Sequence, residues 1–94
     1  MATAILTWNA NSESDLAGYR VYRALGAAAL VQLASLAKVT TYTDATIPNV
    51  DQDVSYALTA FDTANNESLK SATVTNTVNA VPPGAPTGLS VVLQ

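Results

Sequence analysis

The sequence predicts an all-β fold, an antiparallel sandwich of two sheets, and three observations predict it. Short segments alternate apolar and polar residues with a period of two, the pattern of half-buried strands. They recur at intervals of about ten residues, with polar turn formers between them, the spacing of sandwich strands. The segments are also rich in Thr, Val and Tyr, residues that pack well on a pleated surface. The 94 residues suffice for one small domain with a single core.

The first strand is Thr3 to Trp8, with Ala4, Leu6 and Trp8 on one face and Thr3, Ile5 and Thr7 on the other. Trp8 is the only tryptophan, so the core is expected to build against it. Residues 9–18 read as a polar loop, because no apolar helical run follows the weak capping pattern Ser12/Asp15. Tyr19 to Arg23 alternates next, Tyr19 and Val21 inward, Arg20 and Tyr22 outward. Ala24 to Ala37 is ambiguous: Leu30, Leu33 and Leu36 recur at helical spacing, but Gly26 interrupts them and strands flank them, which favours a short strand over Val31–Ala34. Lys38–Asp44 is β-prone and closes on Asp44.

After a turn at 49–53, Val54 to Phe61 is the longest alternation, with Val54, Tyr56, Leu58 and Ala60 on one face. Residues 62–67 form a hairpin loop whose asparagines suit positive φ. Ala72–Val78 is a further strand, and the expected core includes Tyr42 and Val74. Residues 1–79 thus make the body of the sandwich. Residues 80–88 hold three prolines and two glycines, an extended linker. Residues 89–94 read as one more strand, with Leu89, Val91 and Leu93 on a common face.

Composition narrows the chemistry. Four Lys+Arg against seven Asp+Glu give a net charge of −3, which argues against nucleic acid or an anionic membrane as partner. No apolar run approaches the roughly 20 residues of a membrane span. With no histidine and no cysteine, disulfides, thiolate or histidine metal sites and Ser-His or Cys-His catalysis are all ruled out. Asp51 and Asp53 sit in a turn without apolar surroundings to shift a pKa, so the chain is not expected to be an enzyme. Asp62, Asn65, Asn66 and Glu67 could offer oxygens to Ca²⁺, but they lack the glycine-broken spacing of a dedicated loop, and no cofactor or metal is expected. Asn66-Glu67-Ser68 is a glycosylation sequon, meaningful only in a eukaryotic secretory context.

These segments together resemble a fibronectin type III domain. The resemblance is carried by Leu6-Thr-Trp8 (strand B), Gly18-Tyr-Arg-Val-Tyr-Arg23 (strand C), Thr41-Tyr-Thr-Asp44 (strand E) and Tyr56-Ala-Leu-Thr-Ala-Phe-Asp62 with Asn66-Glu-Ser68 (strand F and its loop). Pro83-Gly-Ala-Pro-Thr-Gly-Leu89 looks like the lead into strand A of such a domain. The wording is closest to repeats of secreted bacterial enzymes and surface proteins. The resemblance implies an immunoglobulin-like sandwich and an extracellular or cell-surface location, although Met1–Leu6 lacks the basic start and length of a signal peptide. Two departures stand out. The tyrosine usual at the start of strand F is replaced by Val54, so that corner is expected to be held by packing against Ile47. The strand A-like segment comes last, so the order is B-C-C'-E-F-G and then A.

That order implies a function. In this topology strand G ends at the pole opposite the start of strand A, on the order of 30 Å away, and the ten residues 79–88 reach only about 33–36 Å when fully stretched. Closure within one chain would be strained. The expectation is a non-catalytic structural module that assembles with copies of itself, the donor face Leu89, Val91 and Leu93 of one chain pairing with the acceptor face Ala4, Leu6 and Trp8 of the next. Such a contact is heterologous and gives a filament or a ring. The alternatives are a spacer repeat of a larger surface protein, or a carbohydrate- or peptide-binding module with an aromatic platform of Tyr22 and Phe61.

Overall fold

The computed structural model describes residues 2–79 and 84–93. The first part of the expected linker, residues 80–83, lies outside the described residues, as do Met1 and the last residue of the expected donor segment, Gln94. The described chain is all-β, with six strands: β1 (Ala2–Thr7), β2 (Leu16–Leu25), β3 (Val31–Leu36), β4 (Thr41–Ile47), β5 (Gln52–Asp62) and β6 (Val74–Val78). Strands β1 and β4 form one antiparallel sheet, and the order β3-β2-β5-β6 forms a second.

The two sheets share one core. Val21, Ile47, Val54 and Tyr56 are its buried centre, and Ala4, Leu6, Leu33, Tyr42 and Leu58 pack against it from both sheets. Ile47 and Val54, the pair expected to pack against each other, are both buried in this cluster. Period-two alternation placed Ala4, Leu6, Val21, Val54, Tyr56 and Leu58 on the inner side correctly, because each of these strands has one face turned to the other sheet.

Several boundaries differ from the expectation. Strand β2 begins at Leu16, inside the stretch read as loop, because Leu16 is buried and pairs across to Asp62. Gly18 follows at a bulge, and a Cβ there would lie 2.0 Å from the Leu36 carbonyl oxygen. The strand expected over Val31–Ala34 forms and runs two residues further, to Leu36, since β2 offers it an edge. Asp44 does not close its strand: β4 runs on to Ile47, and Asp44 is buried.

Strand β6 starts later than expected. Upstream of it, the Ser71 and Ser68 hydroxyls accept the backbone N–H groups of Leu58 and Ala60, each at 3.0 Å, and so stand in for ladder carbonyls. Val74, expected in the core, is exposed. It lies opposite Tyr56 and faces inward, but nothing among the described residues covers it. The expected last strand also differs: residues 84–93 form no strand within the chain.

Candidate functional site

The open edge of β1 is the site the fold builds. Strand β1 pairs with β4 along one edge only, Leu6 opposite Tyr42 and Thr7 opposite Thr41. Among the described residues nothing pairs with its other edge. The backbone alternation along β1 can be read from one bond, Trp8 N–H to the Thr40 carbonyl at 3.1 Å. Trp8, and by alternation Leu6 and Ala4, direct their N–H and C=O groups toward β4. Ile5 and Thr7 therefore direct theirs outward, away from any partner strand.

A groove runs along this edge between β1 and the β5–β6 side of the other sheet. Its middle section holds about 250 Å³ and is lined by Ala4, Leu6, Tyr56, Leu58 and Val74. It continues at one end beside Ala2, Ile47, Val54 and Val78. At the other end it is bounded by Trp8, Tyr19, Leu58 and Leu69. The Trp8 ring is half-buried and stands edge-on to Tyr19, with centroids 5.5 Å apart at 66°. Its Nε1–H is buried and has no acceptor among the described residues. The Tyr19 hydroxyl accepts the Asn11 amide at 2.7 Å, which fixes the loop at this end of the groove.

The expected acceptor residues Ala4, Leu6 and Trp8 are thus together on one side of a groove that Thr7, Ser71 and Asn76 also line. The expected donor residues stand apart from it. Leu89, Val91, Val92 and Leu93 are exposed to 89, 75, 78 and 90%. The chain measures 79 Å along its longest axis, about twice the length of its longest strand at roughly 3.3 Å per residue.

The expected aromatic platform has a different setting. Tyr22 is turned to the outer face of the four-stranded sheet as expected, yet it is buried there. Its hydroxyl donates to Glu67, and the Lys70 ammonium sits 4.5 Å from its ring centroid. The Arg20 guanidinium covers one face of Phe61 at 4.3 Å. Arg20 also binds Glu67 at 2.9 Å and Asn65. The Thr59 hydroxyl donates to Glu67 at 2.6 Å. Hydrogen bonds from Thr59 and Tyr22, with Arg20 beside them, hold the Glu67 carboxyl at about 2 despite its partial burial. The same bond to Glu67 raises the Tyr22 hydroxyl above its ordinary value. One face of each ring is therefore taken by a cation.

The acidic loop is closed on itself. Asp62 Oδ1 accepts the amides of Ala64 at 3.0 Å and Asn66 at 2.8 Å, and Oδ2 accepts the Asn66 side chain at 3.1 Å. Asn65 takes the positive φ, 65°, that the hairpin needs. Asp53 accepts the Thr77 hydroxyl at 2.8 Å across the β5–β6 pair. No group of three or more acidic residues that could hold a metal occurs among the described residues.

One polar cluster was not foreseen. Asp44, 1% exposed, lies between the sheets and accepts from Tyr56 at 2.6 Å, Arg23 at 2.9 Å, and the Thr46 amide and hydroxyl at 3.0 and 2.6 Å. Burial opposes its charge, but the donors from Thr46, Tyr56 and Arg23 outweigh it and hold the carboxyl at about 2. The Tyr56 hydroxyl is pushed well above its ordinary range by burial and by that carboxylate. The signal for this cluster was available: Asp44 ends an alternating run on the side of Tyr42, the inward side.

No protein-family model, curated protein or solved structure matches this chain.

Proposed function

We propose that this chain is a non-catalytic structural module of the fibronectin type III kind, which assembles head to tail by donating residues 89–93 to the open edge of β1 in a second copy. The sheet orders β1-β4 and β3-β2-β5-β6 support the fold reading, since they correspond to strands B-E and C'-C-F-G of an immunoglobulin-like sandwich that lacks its strand A. One observation carries the assembly reading. The chain holds a partly apolar groove along a strand edge that nothing among the described residues pairs, and its own tail is extended, apolar on alternate positions and exposed.

Energy favours filling the groove. Burying a leucine or valine side chain contributes roughly 1.5–3 kcal/mol, and Leu89, Val91 and Leu93 would be buried together with Val74. Pairing with β1 adds main-chain hydrogen bonds at Ile5 and Thr7. The contact does not close on itself, so it propagates as a filament or closes as a ring. Sedimentation and electron microscopy across a range of concentrations test the reading, and filaments or rings are expected. A chain that stays monomeric throughout overturns it.

The resemblance of residues 83–89 to the opening of a fibronectin type III domain favours a second reading, a spacer repeat in a longer surface protein. There the groove is filled by a strand from the same polypeptide. Monomeric behaviour, together with strong stabilisation when residues are added before Met1, distinguishes it.

A further inference from the structure

We propose that the donated tail runs antiparallel to β1 in one register, with Ser90 opposite Thr7 and Val92 opposite Ile5. The inference rests on the assembly reading above and adds to it the direction and register of the incoming strand. Two patterns have to be satisfied together. On the inner face, Leu89, Val91 and Leu93 must enter the groove beside Ala4, Leu6 and Trp8. On the outer face, Ser90 and Val92 must lie across from Ile5 and Thr7, β1 residues whose backbone groups are directed at the open edge.

The outer pairs decide direction. In the proposed register the β-branched Val92 covers Ile5, which is 73% exposed, and the two hydroxyls Ser90 and Thr7 face each other. Parallel pairing with the inner residues in phase would reverse both matches, setting Ser90 on Ile5 and Val92 on Thr7. Sliding the antiparallel strand by two residues toward Ala2 sets Ser90 on Ile5 and Val92 on Thr3, and brings the tail against the bulge between Ala2 and Ala4. Sliding it the other way sets Val92 on Thr7 and Ser90 on Asn9, beyond the end of β1.

The inner face agrees with this register. Leu89 meets the end of the groove bounded by Trp8 and Leu69. Val91 falls in the middle section beside Leu6 and Leu58. Leu93 lies opposite Ala4, whose small side chain leaves room above Val54 and Val78 for the larger leucine.

The chain has no cysteine, so introduced thiols are the only ones present. Two single-cysteine variants are mixed, allowed to assemble and oxidised, and disulfide-linked dimers are read on a non-reducing gel. Thr7→Cys mixed with Ser90→Cys, and Ile5→Cys mixed with Val92→Cys, are expected to cross-link, since directly opposite residues lie within disulfide reach. Ile5→Cys mixed with Ser90→Cys is expected to lose the cross-link. Assembled protein that cross-links Ile5 to Ser90, or that cross-links at neither expected pair, overturns the register and leaves the assembly reading standing. Mixtures that stay monomeric by sedimentation and form no cross-link overturn both.

Discussion

Arg23 Nη1 lies 2.9 Å from Asp44 Oδ2 and so ties β2 of the four-stranded sheet to β4 of the two-stranded one. The carboxylate is enclosed, and Tyr56 on β5 donates to the same oxygen. The three residues, with Thr46 on β4 accepting from Arg23 at 2.9 Å, form a polar joint between the two sheets. Removing one partner of a buried charge pair costs roughly 3–5 kcal/mol, because the other is left without compensation. Asp44→Ala is therefore expected to remove much of the stability of so small a domain. Tyr56→Phe, which removes one hydrogen bond to a charged acceptor, is expected to cost about 1.5–3 kcal/mol. Urea unfolding followed by circular dichroism measures both, and a change below about 0.5 kcal/mol for Asp44→Ala would mean the joint carries no load.

Acid should loosen this joint in a defined window. The Asp44 carboxyl is lowered from an ordinary 3.8 to about 2. A depressed carboxyl contributes stability that is fully present above the unfolded value and is lost as pH falls through the folded one. Stability is thus expected to decline between about pH 4 and pH 2, with Asp44 alone accounting for about 2 kcal/mol. Glu67 is lowered in the same sense and adds to the slope. Asp44→Asn, measured beside the unaltered chain, should be less stable near neutrality and flatter below pH 4. Parallel pH profiles for the two proteins would contradict this account.

The tail should govern size more than secondary structure. Deleting residues 89–94 is expected to give soluble monomers of lower stability, and Val91→Asp to do much the same, because a carboxylate cannot enter the groove without losing its hydration. Light scattering reads the first effect and thermal unfolding the second. Filaments formed by the deleted chain would show that another surface holds the copies together.

Trp8 offers a direct optical probe. It is the only tryptophan and borders one end of the groove. Docking of a strand there is expected to shift its emission to shorter wavelength as concentration rises, and the Val91→Asp chain should show no such shift. Emission independent of concentration in a protein that demonstrably assembles would place the contact elsewhere.

Gly18 has no room for a side chain. A Cβ would meet the Leu36 carbonyl oxygen at 2.0 Å and the Phe61 ring at 3.0 Å, at the point where β2 carries a bulge. Gly18→Ala should cost roughly 1–3 kcal/mol through forced separation of β2 from β3. Urea unfolding gives the value, and an unchanged midpoint would show that the strands part freely.

The alternation of Thr3–Trp8, Tyr19–Arg23 and Val54–Phe61 was enough by itself to determine that the chain is all-β and which face of these three strands turns inward, because side-chain direction in a strand depends only on parity. The same reasoning made Leu89, Val91 and Leu93 legible as one apolar face. Parity is silent about what a face meets. Val74 turns inward as its parity requires and is still exposed, since β6 borders an open groove. Asp44 has the parity of a core position and the chemistry of a surface one, and only the arrival of Arg23 and Tyr56 from distant strands makes its burial tolerable. Tyr22 is turned outward as read, yet Glu67 and Lys70, remote in sequence, enclose it. Where β6 begins was likewise decided by Ser68 and Ser71 taking the ladder positions of β5. Each of these outcomes depends on partners brought in from other strands and loops, and a local pattern carries no information about which distant groups will be there to satisfy a charge, a hydroxyl or an open edge.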